Sequence, residues 1–91
     1  MAKLLHEVWR CGGAFPGLTM CLAGPMGDQA RSMLQPDTRL LQVFVAGSYF
    51  EACTIYHRIV GFGLYHSDWE ALDSQPYPEE WAAIQRADGA A

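Results

Sequence analysis

The chain predicts a single small α+β domain, ordered ββαβα. Its three-stranded, antiparallel-rich sheet carries the helices on one face, and an irregular aromatic C-terminal arm ends in a short helix. Three observations lead there. The 91 residues suit one hydrophobic core and are too few to divide into two. Three short runs rich in strand formers, at 3–11, 18–23 and 38–46, are set off by glycine and proline. Two segments carry helix start signals, at 24–28 and 48–51. The domain is expected over residues 1–86, with 87–91 as a frayed tail.

The first strand mixes Leu4, Leu5, Val8 and Trp9 with His6, Glu7 and Arg10 and stops at Gly12-Gly13. A turn over 14–17 follows, and its Pro16 has no N–H to give a ladder. The second run, 18–23, should pair back on the first as a hairpin. Gly24-Pro25-Met26-Gly27-Asp28 leads into a short helix whose Ala30, Met33 and Leu34 recur at helical spacing, and Gln35-Pro36-Asp37 ends it. In the third strand Leu40, Leu41, Val43, Phe44 and Val45 are interrupted only by Gln42. Such a run is expected to be central in the sheet or covered on both faces. A helical crossover from the second strand to the third places the first strand in the middle and both helices on one face. The other face then needs a cover, either the arm or a second subunit.

Ser48-Tyr49-Phe50-Glu51 matches a capping box, in which the serine hydroxyl takes the amide three residues on and the glutamate returns to the cap's own amide. The helix it opens, 48–60, sets Tyr49, Ala52, Cys53, Tyr56, Ile59 and Val60 on one face, opposite Glu51 and Arg58. Gly61 stands where a left-handed C-cap is wanted. Residues 62–81 are too aromatic for a disordered tail and too aperiodic for ordinary core. They are expected to pack as an irregular arm, the kind of segment that carries binding surfaces. A short helix over 78–85 begins with Pro78 and the acids Glu79 and Glu80.

The run Ala46-Gly47-Ser48-Tyr49-Phe50-Glu51-Ala52, then Tyr56, Gly61, Gly63 and Tyr65, then Gln75-Pro76-Tyr77-Pro78-Glu79-Glu80-Trp81, resembles a group of small bacterial proteins that share such motifs and have no assigned function. The resemblance covers roughly the C-terminal half. It implies a bacterial source and brings no activity, catalytic residue or ligand with it.

Composition narrows the function. The chain is 51% hydrophobic and 18% charged, which leaves apolar surface to spare and makes dimerisation the simplest outlet. Six basic residues against ten acidic ones give a net charge of −4, and the basic ones are scattered. Nucleic acid is therefore not an expected partner. Cys11, Cys21 and Cys53 are odd in number and have no Cys-x-x-Cys spacing, so reduced thiols in the cytoplasm are expected. His6, Glu7 and Arg10 interrupt what would be the apolar stretch of a signal peptide, and no run suits a membrane helix.

Several constellations bear on chemistry. Cys53 and His57, four apart on one helix, could form an activated thiol or a metal pair. With no third group to orient them, a buried thiol and a half-solvated imidazole is the favoured reading. The acids Asp68, Glu70, Asp73, Glu79 and Glu80 fit no calcium-loop or zinc-hydrolase spacing. His6, alone on a strand, reads as a half-exposed surface residue. The aromatic set Tyr49, Tyr56, Phe62, Tyr65, Trp69, Tyr77 and Trp81 is the best functional candidate, because tyrosine and tryptophan join an apolar face to a polar tip. From this corner Tyr56, His57, Tyr65, His66 and Trp69 are the expected binding residues, with Tyr65 and Trp69 the most exposed. No catalytic residue, metal ligand or cofactor is assigned.

The function expected is a non-enzymatic interaction module acting as a homodimer, with helix 48–60 and arm 62–81 as its contact surface and a further protein partner possible. One alternative is a small-molecule-binding domain or small enzyme with a pocket between that helix and the arm. The other is an acidic inhibitor or immunity-type protein seated on a basic partner.

Overall fold

The computed structural model describes residues 2–12 and 17–89. Strand β1 (Leu4–Cys11) lies between β2 (Gly17–Leu22) and β3 (Arg39–Ala46), antiparallel to both. Apart from Gly17, the turn expected over 14–17 lies outside the described residues, as does the end of the expected tail, 90–91. A 3₁₀ turn (Pro25–Gly27) and α1 (Asp28–Ser32) join β2 to β3. After β3 come α2 (Tyr49–Val60), α3 (Glu70–Asp73) and α4 (Glu79–Ala87). The pairing slips between Val8, opposite Gln42, and Trp9, opposite Leu40, so Leu41 is an extra residue that bulges β3.

Side chains alternate along β1 and sort the molecule into two faces. Leu4, His6 and Val8, all buried, point one way, and Leu5, Glu7 and Trp9 the other. Helices α2 and α4 occupy the first face. There Leu4 packs with Ala2, Ala82, Leu22, Tyr77 and Trp81, and Tyr49 of α2 shares a cleft with His6.

Helix α1 lies on the opposite face, correcting the expectation that the helices share one. Its five residues are too few to bury an apolar stripe, and Met33 at its end is exposed. Arg31 holds it instead. The guanidinium donates to the Glu7 carboxylate at 2.8 Å, to the Leu22 carbonyl at 2.9 Å, and to Gly24 and Asp28. Glu7 also accepts from the Trp9 indole at 3.0 Å and from the Cys21 thiol. The turn before α1 is pressed so closely on β2 that a Cβ on Gly27 would stand 1.8 Å from the Leu22 carbonyl oxygen.

Strand β3 overturns a second expectation. It is neither central nor covered on both faces: it is an edge strand, with Leu40, Leu41, Val43 and Val45 between 45% and 56% exposed. Its second face is bare because α1 covers only the β1–β2 half. Its outer edge is open as well. Leu5 bonds through its backbone toward β2, to Ala23 and Gln85, so Leu4, His6 and Val8 turn theirs toward β3. Their partners Ala46, Phe44 and Gln42 face inward, and Val43 and Val45 direct their amides and carbonyls outward.

Helix α2 starts and stops as its caps dictate. Ser48 Oγ accepts from the Glu51 amide at 3.1 Å, and Gly61 closes the helix at φ +78°. The glutamate departs from the expected box, since its carboxylate takes the Gly47 amide and not that of Ser48. Helix α4 is docked by Gln85, which is fully buried. Its side-chain oxygen accepts from Leu5 N–H at 2.9 Å, and its amide donates to the carbonyls of Leu5 and Ala23 at 2.9 and 3.0 Å. The result is a plate of 39 × 32 × 17 Å. No helix among the described residues is long and apolar enough to cross a membrane.

Candidate functional site

The expected binding residues divide in two. Tyr56, His57 and Tyr65 come together: His57 lies 5.1 Å edge-on from Tyr65 and 6.1 Å from Tyr56, and Phe62 closes on both. Phe50 meets Tyr65 at 5.5 Å. His66 and Trp69 are exposed, Trp69 by 72%, and among the described residues neither ring touches that group. Nδ1 of His57 is buried without a hydrogen-bond partner among the described residues. Cys53 is buried and makes no bond to His57. The neighbouring Cys53 side chain, first, and burial push the Tyr49 pKa up to about 12. Among the described residues no group of three His, Cys, Asp or Glu side chains could hold a metal ion.

A second, more enclosed site lies on the same face and centres on a residue expected at the surface. His6 is only 2% exposed. Its ring stacks flat on Phe44, with centroids 5.1 Å apart and planes within 2°. Nδ1 sits 2.9 Å from the Leu4 carbonyl oxygen, which can only accept, so Nδ1 carries the hydrogen. Burial is the largest influence on this imidazole and holds its pKa below the ordinary histidine value, outweighing the Leu4 carbonyl and Glu51. In the neutral ring Nε2 is then a bare acceptor. The Tyr77 hydroxyl, 2.9 Å away, donates to it.

Tyr77 is set there by its backbone. Its N–H donates to the Gly47 carbonyl at 3.0 Å, it bridges Ala2, and Pro76 bridges Ser48. The arm is thereby tied to the end of the sheet, and the phenol turns inward between Trp81 and His6. Burial raises the Tyr77 pKa well above its ordinary value, so the phenol stays protonated. Around the pair opens a cleft of about 340 Å³, floored by His6, Met20 and Leu22 and walled by Tyr49, Tyr77 and Trp81. A shallower hollow of about 270 Å³, bounded by Thr54, Arg58, Gly63, Leu64 and Tyr65, lies between α2 and the arm.

Sequence reasoning passed over His6 because burial on a strand has no local signature. It did include Tyr49, Tyr77 and Trp81 in the aromatic set, but not as neighbours of His6. Compared with protein-family models, curated proteins and solved structures, the chain matches none.

Proposed function

We propose that this protein is a non-enzymatic interaction module that works as a homodimer in the bacterial cytoplasm. The bare half of the sheet carries the reading. Val43 and Val45 combine exposed aliphatic side chains with outward-directed backbone groups on a strand of eight residues. That strand has neither proline nor lysine to blunt its edge, two of the devices by which monomers avoid pairing, and its bulge at Leu41 lies before the Val43–Val45 stretch. A second copy laid antiparallel across a two-fold axis satisfies both edges at once and makes one six-stranded sheet.

The surface area fits this outlet. The accessible surface is 5936 Å², against about 5,300 Å² for a folded monomer of this mass. The excess of about 650 Å² approaches the roughly 800 Å² that each partner contributes to a standard interface. This reading moves the dimer contact to β3 from the surface expected for it, helix 48–60 and arm 62–81, and leaves that surface, with Phe62, Leu64, Trp69 and Leu72 exposed, to a different protein. Three free cysteines accord with a reducing compartment. Sedimentation equilibrium tests the dimer: reversible self-association is expected, abolished by the double substitution Val43→Lys and Val45→Lys. A strict monomer at every concentration sinks the reading.

A further inference from the structure

We infer that the cleft between α2 and α4 is a binding site for a small planar aromatic molecule that bears an N–H donor. The inference is independent of the dimer, whose edge lies on β3, away from this cleft. It follows from what the cleft offers a guest. Three aromatic rings, Tyr49, Tyr77 and Trp81, wall it, and the apolar Met20 and Leu22 share the floor with His6. At about 340 Å³ it falls within the roughly 300–1,000 Å³ of small-molecule pockets.

Its polar pair, His6 and Tyr77, is one-sided. The Leu4 carbonyl fixes the hydrogen on Nδ1 of His6, and the bare Nε2 fixes the Tyr77 hydroxyl as donor. The phenol oxygen keeps its lone pairs, and no described residue donates to them. The hydroxyl can therefore only accept from a guest, which must bring the donor. Flat aromatic walls and the accepting Tyr77 hydroxyl together favour a donor-bearing aromatic ring.

The test is an NMR titration of the full chain with two probes: indole and 1-methylindole, which lacks the donor. Indole is expected to give saturable shifts confined to Met20, Leu22, Tyr49, Tyr77 and Trp81. 1-Methylindole is expected to bind about fivefold more weakly, the worth of one hydrogen bond. Tyr77→Phe should bring indole down to the level of 1-methylindole and leave 1-methylindole unchanged. Should that variant fail to fold, Tyr49→Ala at the exposed rim should weaken both probes. Absent or scattered shifts with indole overturn the site, and equal binding of indole and 1-methylindole overturns the assigned role of Tyr77.

Discussion

The two halves of this small sheet are built from similar residues and treated oppositely. The β1–β2 half is covered on both faces, by α4 and the first turn of α2 on one and by α1 on the other. The β3 half, the most continuously apolar stretch of the chain, keeps one face and its edge in water. The difference does not track hydrophobicity. Two of the four largest fully buried side chains, His6 and Gln85, are polar, while Val43 and Val45 are about half exposed. The sealed half is the one equipped with polar side chains that satisfy backbone groups: Gln85 on Leu5 and Ala23, Arg31 on Leu22 and Gly24, and His6 on Leu4. A buried backbone group left unpaired is costly, so elements dock where a side chain reaches it.

The contrast breaks most visibly at Gln85. Replacing it with leucine keeps the bulk but strands the Leu5 N–H and removes, among the described residues, the only side chain bonded to the Ala23 carbonyl. A loss of about 3 kcal/mol is expected, since each unsatisfied buried group costs about 1–3 kcal/mol. Urea unfolding of Gln85→Leu measures it. A loss below about 1 kcal/mol would mean that water replaces the amide and that α4 is held by Ala82 and Trp81 alone.

The His6–Tyr77 pair supplies a smaller, pH-dependent effect. The folded pKa of His6 lies below its ordinary value of 6.5, chiefly through burial. Above pH 6.5 the ring is neutral in both states and its contribution to stability is complete. As pH falls below 6.5 the unfolded chain takes up the proton and the native state resists it, so stability declines until the lowered folded pKa is reached and then levels off. Glu51, the charge that acts on this ring, has its own pKa held below 4.5, first by the Gly47 amide, and its contribution is lost only at lower pH. Denaturant midpoints measured from pH 7.5 to 5 should therefore fall for the parent chain and stay flatter for His6→Phe. Equal slopes would show that the imidazole is protonated in the fold.

Local signals told what each segment is, and they failed where segments meet. Ser48 and Gly61 mark the ends of α2 through contacts within one turn, and the glycine- and proline-bounded runs mark the strands. The first strand was legible as the middle one because a hairpin and a crossover leave it there. The unread features are contacts across long stretches of chain: Gln85 with Leu5 over 80 residues and His6 with Tyr77 over 71. No period in the sequence encodes these. The apolar run of β3 was read as burial because composition reports what a strand could bury and not whether anything arrives to cover it. Of the expected binding corner, Tyr56, His57 and Tyr65 are neighbours by helical spacing and the turn at Gly61. His66 and Trp69 point elsewhere because the segment 61–69 has no regular element to set their direction.

The smallest effect sharpens the contrast from the other side. Val45→Thr keeps a β-branched side chain at a position 56% exposed, so in the isolated chain it should change stability by less than about 0.5 kcal/mol. If β3 pairs with a second copy, the same residue lies inside an interface once the protein is concentrated, and the hydroxyl then meets apolar neighbours. The cost of Val45→Thr should therefore grow with protein concentration, whereas that of Gln85→Leu, which acts within one chain, should stay constant. Thermal midpoints of parent and variant at several concentrations separate the cases. A Val45→Thr cost that stays small throughout removes the paired edge, and one that is large at the lowest concentration means that β3 is covered within the monomer.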